Sequence, residues 1–408
     1  MTPAQERLYQ AAVWSMLASA ASVVMSIAVC QILLGLALIA LVASDAPLRF
    51  PALKAPLAAF LGWTVVSLLA SGHPGAGLPQ IRKFFVFAVL LVVFSTLREA
   101  RQARWLVGAW SLAAAVSALR SLVQFVRKLE AARARGEDFY QSYVGERITG
   151  FLSHWMTFSE VGMLVLLVLL SYLFFAPGVS RRTRILGGLA GAFLTASLLV
   201  SFTRSIWLAT AAASGYLVWQ WHKKVLLVVP LLVALAFVAG PEALHKRMQS
   251  VLSARSDSSV EARRIMWRTG WRMIQARPLF GMGPGRVGLE FRRYLPAGVG
   301  ELPPAFYEHL HNLYIHYAAE RGIPALLALL WLLGRILRDH LNALRASQRL
   351  TPLEDRFILH AVVAVFIGIA VGGVFELNLG DSEVLTVFLT VVGLGYAAID
   401  RQQATRLA

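Results

Sequence analysis

Residues 156–176 read MTFSEVGMLVLLVLLSYLFFA, an apolar run holding a single charged residue, Glu160. A helix needs roughly 17–25 mostly apolar residues to cross the hydrocarbon of a bilayer, so this stretch reads as a membrane span. Similar windows recur at residues 11–27, 30–44, 54–70, 82–97, 104–126, 185–201, 204–221, 224–240, 312–334, 357–375 and 382–399. The expectation is about twelve spans. The first two are short and nearly continuous, and one long tilted helix is the alternative there. Composition agrees: 57% of the 408 residues are hydrophobic and 15% charged, which suits an all-α integral membrane protein. No fixed-period repeat or low-complexity linker divides the chain. The expected organisation is a single polytopic membrane domain, 1–408, with a large, partly helical outer loop, 241–311, between spans nine and ten.

Lys and Arg in short loops set orientation, because cytoplasmic connections retain them. With the N-terminus inside, Arg49, Lys54, Arg98, Arg101, Arg104, Arg181, Arg182, Arg184, Lys223, Lys224, Arg335, Arg338, Arg345, Arg349, Arg356, Arg401 and Arg406 all fall on the cytoplasmic side. The expected topology is therefore N-in, C-in. The net charge of +17 leaves a second group outside: Arg82, Lys83, Arg127, Lys128, Arg133, Arg135, Arg147, Arg204 and the arginines between Arg263 and Arg293. Strung along helix ends, these cations point to a lipid-linked anion and not to nucleic acid. The lone Cys30 excludes an intrachain disulfide or a cysteine-based metal site. The apolar run after Arg7 continues into a second span without a small-residue cleavage site, so no cleavable signal is expected.

Every even-numbered span starts on the outer side, where its free N–H groups and positive dipole end favour anions. The fourth is expected to begin at Pro79-Gln80-Ile81-Arg82-Lys83, the sixth after Arg147 and His154, the eighth at Ser201-Phe202-Thr203-Arg204-Ser205 with capping hydroxyls, and the tenth near His311-Asn312. Arg204 reads as part of an anion site or, alternatively, as a snorkelling side chain. Arg127, Lys128, Arg133 and Arg135, mixed with acids, read as a solvated helix. Residues 260–278 form a helix with Trp267, Trp271 and Ile274 on one stripe and Arg264, Arg268 and Arg272 beside it, the composition of an interfacial helix. The following turn, Pro278 to Arg286, is rich in glycine and lets backbone approach a ligand. His311 is the candidate acid–base group, with Glu308 three residues before it and Asn312 beside it. Asn312, His316 and Glu320 make a polar stripe that reads either as functional or as a structural hydrogen-bond network. His154 is a second candidate that alternatively only orients its helix. His340 and His360 read as loop or interface residues. No phosphate loop, dinucleotide fingerprint or metal-binding motif is present, so no cofactor, nucleotide or metal is expected.

Three ordered segments carry a resemblance: Arg204-Ser205-Ile206-Trp207-Leu208-Ala209; Arg264-Ile265-Met266-Trp267 through Pro278-Leu279-Phe280-Gly281-Met282-Gly283; and His311-Asn312-Leu313-Tyr314 through Glu320-Arg321-Gly322. Together they resemble the O-antigen ligase and polymerase superfamily, the ligase most. The resemblance implies glycan transfer from an undecaprenyl-diphosphate carrier on the periplasmic face of a Gram-negative inner membrane, which makes 241–311 a periplasmic loop. In the ligase the acceptor is the lipid A core; in the polymerase it is another carrier-linked repeat. The resemblance implies His311 as the essential histidine, Arg204 as the membrane-border arginine and Arg264 as the loop arginine, with Arg286 as the alternative.

The chemistry expected of these residues is direct displacement with inversion. His311 is the general base on the attacking sugar hydroxyl. Arg204 and Arg264, with Arg82, Lys83, Arg147 and Arg286, stabilise the diphosphate leaving group. Glu308, Asn312 and His154 support the site. The alternatives are the polymerase, a protein O-glycosyltransferase, and a non-catalytic transporter of lipid-linked glycan. A transporter is expected to show paired repeats and broken spans around a midplane site.

Overall fold

The computed structural model describes residues 1–228, 258–299, 302–303, 307–347 and 354–407, and every regular element among them is a helix. The expected ninth span from residue 229 onward, much of the outer loop's first half, and Arg349 lie outside the described residues. The helices are α1 (Pro3–Ser22), α2 (Ile27–Ala43), α3 (Lys54–Ala70), α4 (Pro74–Arg82), α5 (Ala88–Thr96), α6 (Ala100–Arg135), α7 (Phe139–Gly145) and α8 (Trp155–Phe175). They continue with α9 (Arg181–Val200), α10 (Arg204–His222), α11 (Ser258–Ala276), α12 (Val287–Glu290), α13 (Leu313–Arg321), α14 (Ile323–Ser347), α15 (Arg356–Gly372) and α16 (Ser382–Leu407).

The N-terminal segment forms two helices, not one long tilted one. Thr2 and Gln5 close a reciprocal cap at the start of α1. The chain turns after Ser22, Ser26 caps α2, and α2 packs back along α1. The fourth span departs from expectation at its start. Its helix begins at Pro74, and a 3-10 turn over Lys83–Phe87 joins α4 to α5. Arg82 and Lys83 therefore lie at an internal transition and not at a helix N-terminus. Pro79, inside α4, lacks an N–H and cannot bond the carbonyl four residues before it.

Among the described residues, five helices are long and apolar enough to cross a membrane: Pro74–Thr96, Ala100–Arg135, Trp155–Phe175, Arg181–Val200 and Ser382–Thr405. Three shorter apolar helices, Ile27–Ala43, Lys54–Ala70 and Arg356–Gly372, accompany them. At the centre is α8, buried without a break from Thr157 to Leu169 and surrounded by α6, α9, α10, α15 and α16. Outer helices turn apolar stripes away from the protein. Examples are Val29, Ile32, Leu36 and Ile39 on α2, and Leu112, Val116, Leu119 and Val123 on α6. Spacings of three and four residues make each stripe continuous along one helix face, and exposed apolar surface of that extent suits lipid and not water.

The two ends of the bundle differ. At one end Arg49 pairs with Asp400 (2.8 Å), Arg401 pairs with Asp355 (2.7 Å), and Arg401 also donates to the Arg98 carbonyl. These are residues assigned by charge to a single face. At the other end a smaller core of Ala262, Met266, Met273, Met282, Phe291 and Leu310 packs on Ala318 and Ala319 of α13. There the glycine-rich turn has a structural purpose. The amides of Met282 and Gly283 donate to the Ala319 and Glu320 carbonyls, and Ile323 N donates to Pro278 O. Gly281 (φ +65°) and Gly322 (φ +86°) are left-handed, and a Cβ on either would strike the opposing backbone. At these two positions glycine is required because two stretches of main chain touch. The break at Gly322 also divides the expected tenth span into α13 and α14.

A methyl group on Gly322 would lie 1.8 Å from Leu279 O, so Gly322→Ala should lower the unfolding free energy by about 2 kcal/mol or more. Gly108→Ala, at an open helical position, is the control and should leave thermal unfolding in detergent unchanged or slightly raised. Equal melting temperatures for both variants would contradict the packing described.

Candidate active site

His311 lies just before α13, in the left-handed region (φ +44°), a conformation that costs a non-glycine residue about 1–2 kcal/mol. Three contacts hold it. Trp267 of α11 directs its indole N–H at the His311 carbonyl (3.4 Å). Asn312 caps α13 by accepting from Ile315 N (2.8 Å) and donates to Val374 O (2.8 Å). The imidazole Nδ1 lies 2.7 Å from Oε2 of Glu376, in the connection between α15 and α16. The other carboxylate oxygen, Oε1, accepts from Nη2 of Arg263 at 2.9 Å.

That arrangement fixes the imidazole. A carboxylate on Nδ1 favours the tautomer with the proton there and leaves Nε2 as the basic nitrogen. Burial pushes the Glu376 carboxyl upward, but the His311 hydrogen bond and charge, with Arg263 behind them, prevail and hold it below the ordinary carboxylate range. The His309 ring lies tilted by 55° against that of His311, with centroids 4.2 Å apart. Burial, reinforced by His311 and His316, drives its pKa down to about 3.

These groups open on a cavity of about 720 Å³. Its polar wall includes His311, His309, Glu376, Glu308, His154 and Lys83; its apolar wall is built from Phe60, Phe87, Leu332, Leu385 and Phe388. Lys83 Nζ donates to Gly380 O (2.7 Å) and so ties the 3-10 turn to the connection before α16. His154 caps α8, its Nδ1 accepting from Met156 N (3.2 Å), so it both orients its helix and faces the cavity. Burial lowers its pKa. Beside it, Thr157 donates to Asp381 (2.7 Å), whose carboxyl burial raises.

The remaining expected residues are placed less centrally. Arg147 donates to Phe202 O (3.4 Å), and its guanidinium lies 5.5 Å from the centre of the Trp155 ring. Arg204 is the first residue of α10, half-buried, two positions after the left-handed Phe202. The expected hydroxyl cap is absent there, since Thr203 donates instead to Ser201 O. Arg82 and Arg264 are exposed. Arg286 pairs with Glu290 at 2.6 Å, and the adjacent Gly285 amide donates to Glu320 (2.8 Å). The interfacial reading of α11 suits its outer face, where Arg264, Arg268 and Arg272 are exposed with Trp271, whereas Trp267 turns inward to His311.

Arg263 and Glu376 were not singled out by the sequence pattern, and neither was the pairing of Glu320 with Arg321 (2.9 Å). Glu320 also approaches His316 (3.5 Å), and Arg321 reaches Thr64 of α3 (3.3 Å). The polar stripe of α13 is therefore a buried network that joins helices and forms one side of the cavity. His340 and His360 are buried within α14 and α15, unlike their expected places in loops or interfaces. His360 Nδ1 meets the Tyr216 hydroxyl at 3.0 Å.

Residues 189–330 match the family model described as O-antigen ligase. This similarity supports the resemblance to the O-antigen ligase and polymerase superfamily. No curated protein matches the chain. The matched segment contains Arg204, Arg263, Arg264, His311 and Glu320; of these His311 and Glu320 line the cavity, which Lys83, His154, Glu376 and Asp381 reach from outside the segment.

His309 makes stability depend on pH. Its folded value, about 3, lies below the ordinary 6.5, so between those limits the unfolded chain binds more protons. Its stabilising contribution is present above about pH 6.5 and is lost as pH falls toward 3, by at most about 1.4 kcal/mol per pH unit. His309→Gln should flatten the fall of the melting temperature across that window. Parallel wild-type and variant curves would contradict the burial of a neutral imidazole.

Proposed function

We propose that the protein is a glycosyltransferase that joins O-antigen glycan from undecaprenyl diphosphate to the lipid A core in the periplasmic leaflet. The carrying observation is the oriented His311–Glu376 pair on a cavity wall, with His311 inside the segment that matches the O-antigen ligase family. His311 Nε2 takes the proton of the attacking sugar hydroxyl while its oxygen bonds to the anomeric carbon. The bond from that carbon to the diphosphate breaks, and its electron pair leaves on the phosphate oxygen. Attack opposite the leaving group inverts the centre and needs no covalent enzyme intermediate.

Arg204, Arg147 and Lys83 are assigned to the diphosphate. We assign the loop-arginine role to Arg263 in preference to Arg264 or Arg286, because its guanidinium reaches Glu376 beside His311. Arg82 is left at the membrane surface. About twelve spans, with N-in, C-in topology and 241–311 as a periplasmic loop of one polytopic domain, complete the proposal. It is supported by the gathering of Arg49, Arg98 and Arg401 at the end away from His311. No nucleotide or metal enters the chemistry proposed.

Purified protein reconstituted with carrier-linked glycan and lipid A core tests this directly. A joined product of inverted configuration is expected without nucleotide or divalent metal. Lengthened carrier-linked chains would make the enzyme a polymerase, and no new glycosidic bond would overturn the reading. In the same assay His311→Ala should lower turnover by about a hundred- to ten-thousand-fold with donor binding retained. Glu376→Gln should lower turnover by about tenfold or more, because the amide holds the imidazole less well. Arg204→Ala should chiefly weaken donor use; unchanged turnover at low donor would remove it from the site.

A further inference from the structure

The cavity wall carries five carboxylates, Glu160, Glu308, Glu320, Glu376 and Asp381, against two cations, Lys83 and Arg321. Glu320, Glu376 and Asp381 already have hydrogen-bond partners within the protein. Glu160 is different. It is 2% exposed, it lines the cavity, and its Oε1 is buried with no hydrogen-bond partner. Folded proteins leave few buried polar atoms unmet, and the Glu160 side chain lies on the wall of a cavity that has room for a hydrogen-bond donor.

The helix supplies context. His154, Thr157 and Glu160 follow at three-residue intervals, one face of the start of α8. Thr157 donates to Asp381, bringing a second carboxyl to the same stretch of wall. Among the described residues no three His, Cys, Asp or Glu side chains close on one point as a metal ion requires. Sugar hydroxyls fit better, since each donates to a carboxyl oxygen and accepts from another group at once.

We infer that Glu160, with Asp381 beside it, forms a glycan-binding subsite that takes ring hydroxyls of a sugar next to the reacting centre. The inference rests on the glycosyltransferase reading and adds the group that grips the sugar, as distinct from the groups that meet the diphosphate. Either donor or acceptor offers the same hydroxyl chemistry.

The test measures binding in detergent of three probes to the full chain: O-antigen polysaccharide and core oligosaccharide, each released by mild acid from the host's lipopolysaccharide, and inorganic pyrophosphate. Glu160→Ala is expected to weaken one of the two sugars by about tenfold, and the sugar affected identifies the source. Glu160→Gln keeps an acceptor oxygen and should stay within about threefold of wild type. Pyrophosphate affinity should not change in either variant. If Glu160→Ala fails to fold, Thr157→Val, which releases Asp381, should weaken the same sugar by about threefold or more. Unchanged affinity for both sugars in the folded variants, a loss confined to pyrophosphate, or no sugar binding by the wild type would each overturn the inference. Failure of the glycosyltransferase reading shows separately, as absence of transfer by the wild type in the reconstituted assay.

Discussion

A single carboxylate organises the end of the bundle that carries His311. Glu376 takes Arg263 on one oxygen and His311 on the other, and these three residues come from the connection after α15, from α11 and from the residue before the cap of α13. A buried carboxylate without partners is costly, so the charged form persists only because both contacts are made. The same contacts hold His311 in a backbone conformation that few side chains adopt. Strain at one residue, buried charge at another and a directed imidazole at the cavity wall are thus parts of one arrangement.

Around that centre the main chain is tied to its neighbours by contacts within the protein. The glycine turn between α11 and α12 lies main chain to main chain against the end of α13, and Ser67 of α3 donates to Phe280 O at 2.6 Å. Trp63 stacks on Phe280 with ring centroids 5.8 Å apart. Behind them Glu320 and Arg321 fill the buried interior with paired charge. A general base at hydrogen-bond distance, about 2.6–3.2 Å, from a reacting hydroxyl needs this kind of support, since orientation is a large part of what a positioned group contributes.

The helical class was legible because apolar windows are local, and most window positions correspond to helices among the described residues. His311, His154 and Lys83 stood out in the sequence through their placement near expected helix ends, and all three line the cavity, although Lys83 lies within a continuous helical segment. Glu376 was not, because its meeting with His311 joins positions 65 residues apart and leaves no periodic trace. Arg263 was missed for a subtler reason. Reading Trp267 and Trp271 as one stripe turned the helix by the wrong angle, and one residue corresponds to roughly 100° of rotation. The buried face runs Ala262, Ile265, Met266, Thr269 and Met273, with Trp271 outside it, which leaves Arg263 at the margin nearer Glu376 and Arg264 in the open. The apolar spacing alone contained that information, but the tryptophans outweighed it. The start of α4 was misjudged because Pro79 reads as a first-turn proline, yet Pro74 occupies that position.

The most direct test of the central claim is nitrogen-15 spectroscopy of the His311 ring, assigned by loss of its signals in a His311→Asn variant. The neutral imidazole is expected to carry its proton on Nδ1 and to leave Nε2 bare, with that preference weakened when Glu376 becomes Gln. A neutral ring protonated on Nε2, or one indifferent to the Glu376 substitution, would contradict a base oriented by this carboxylate.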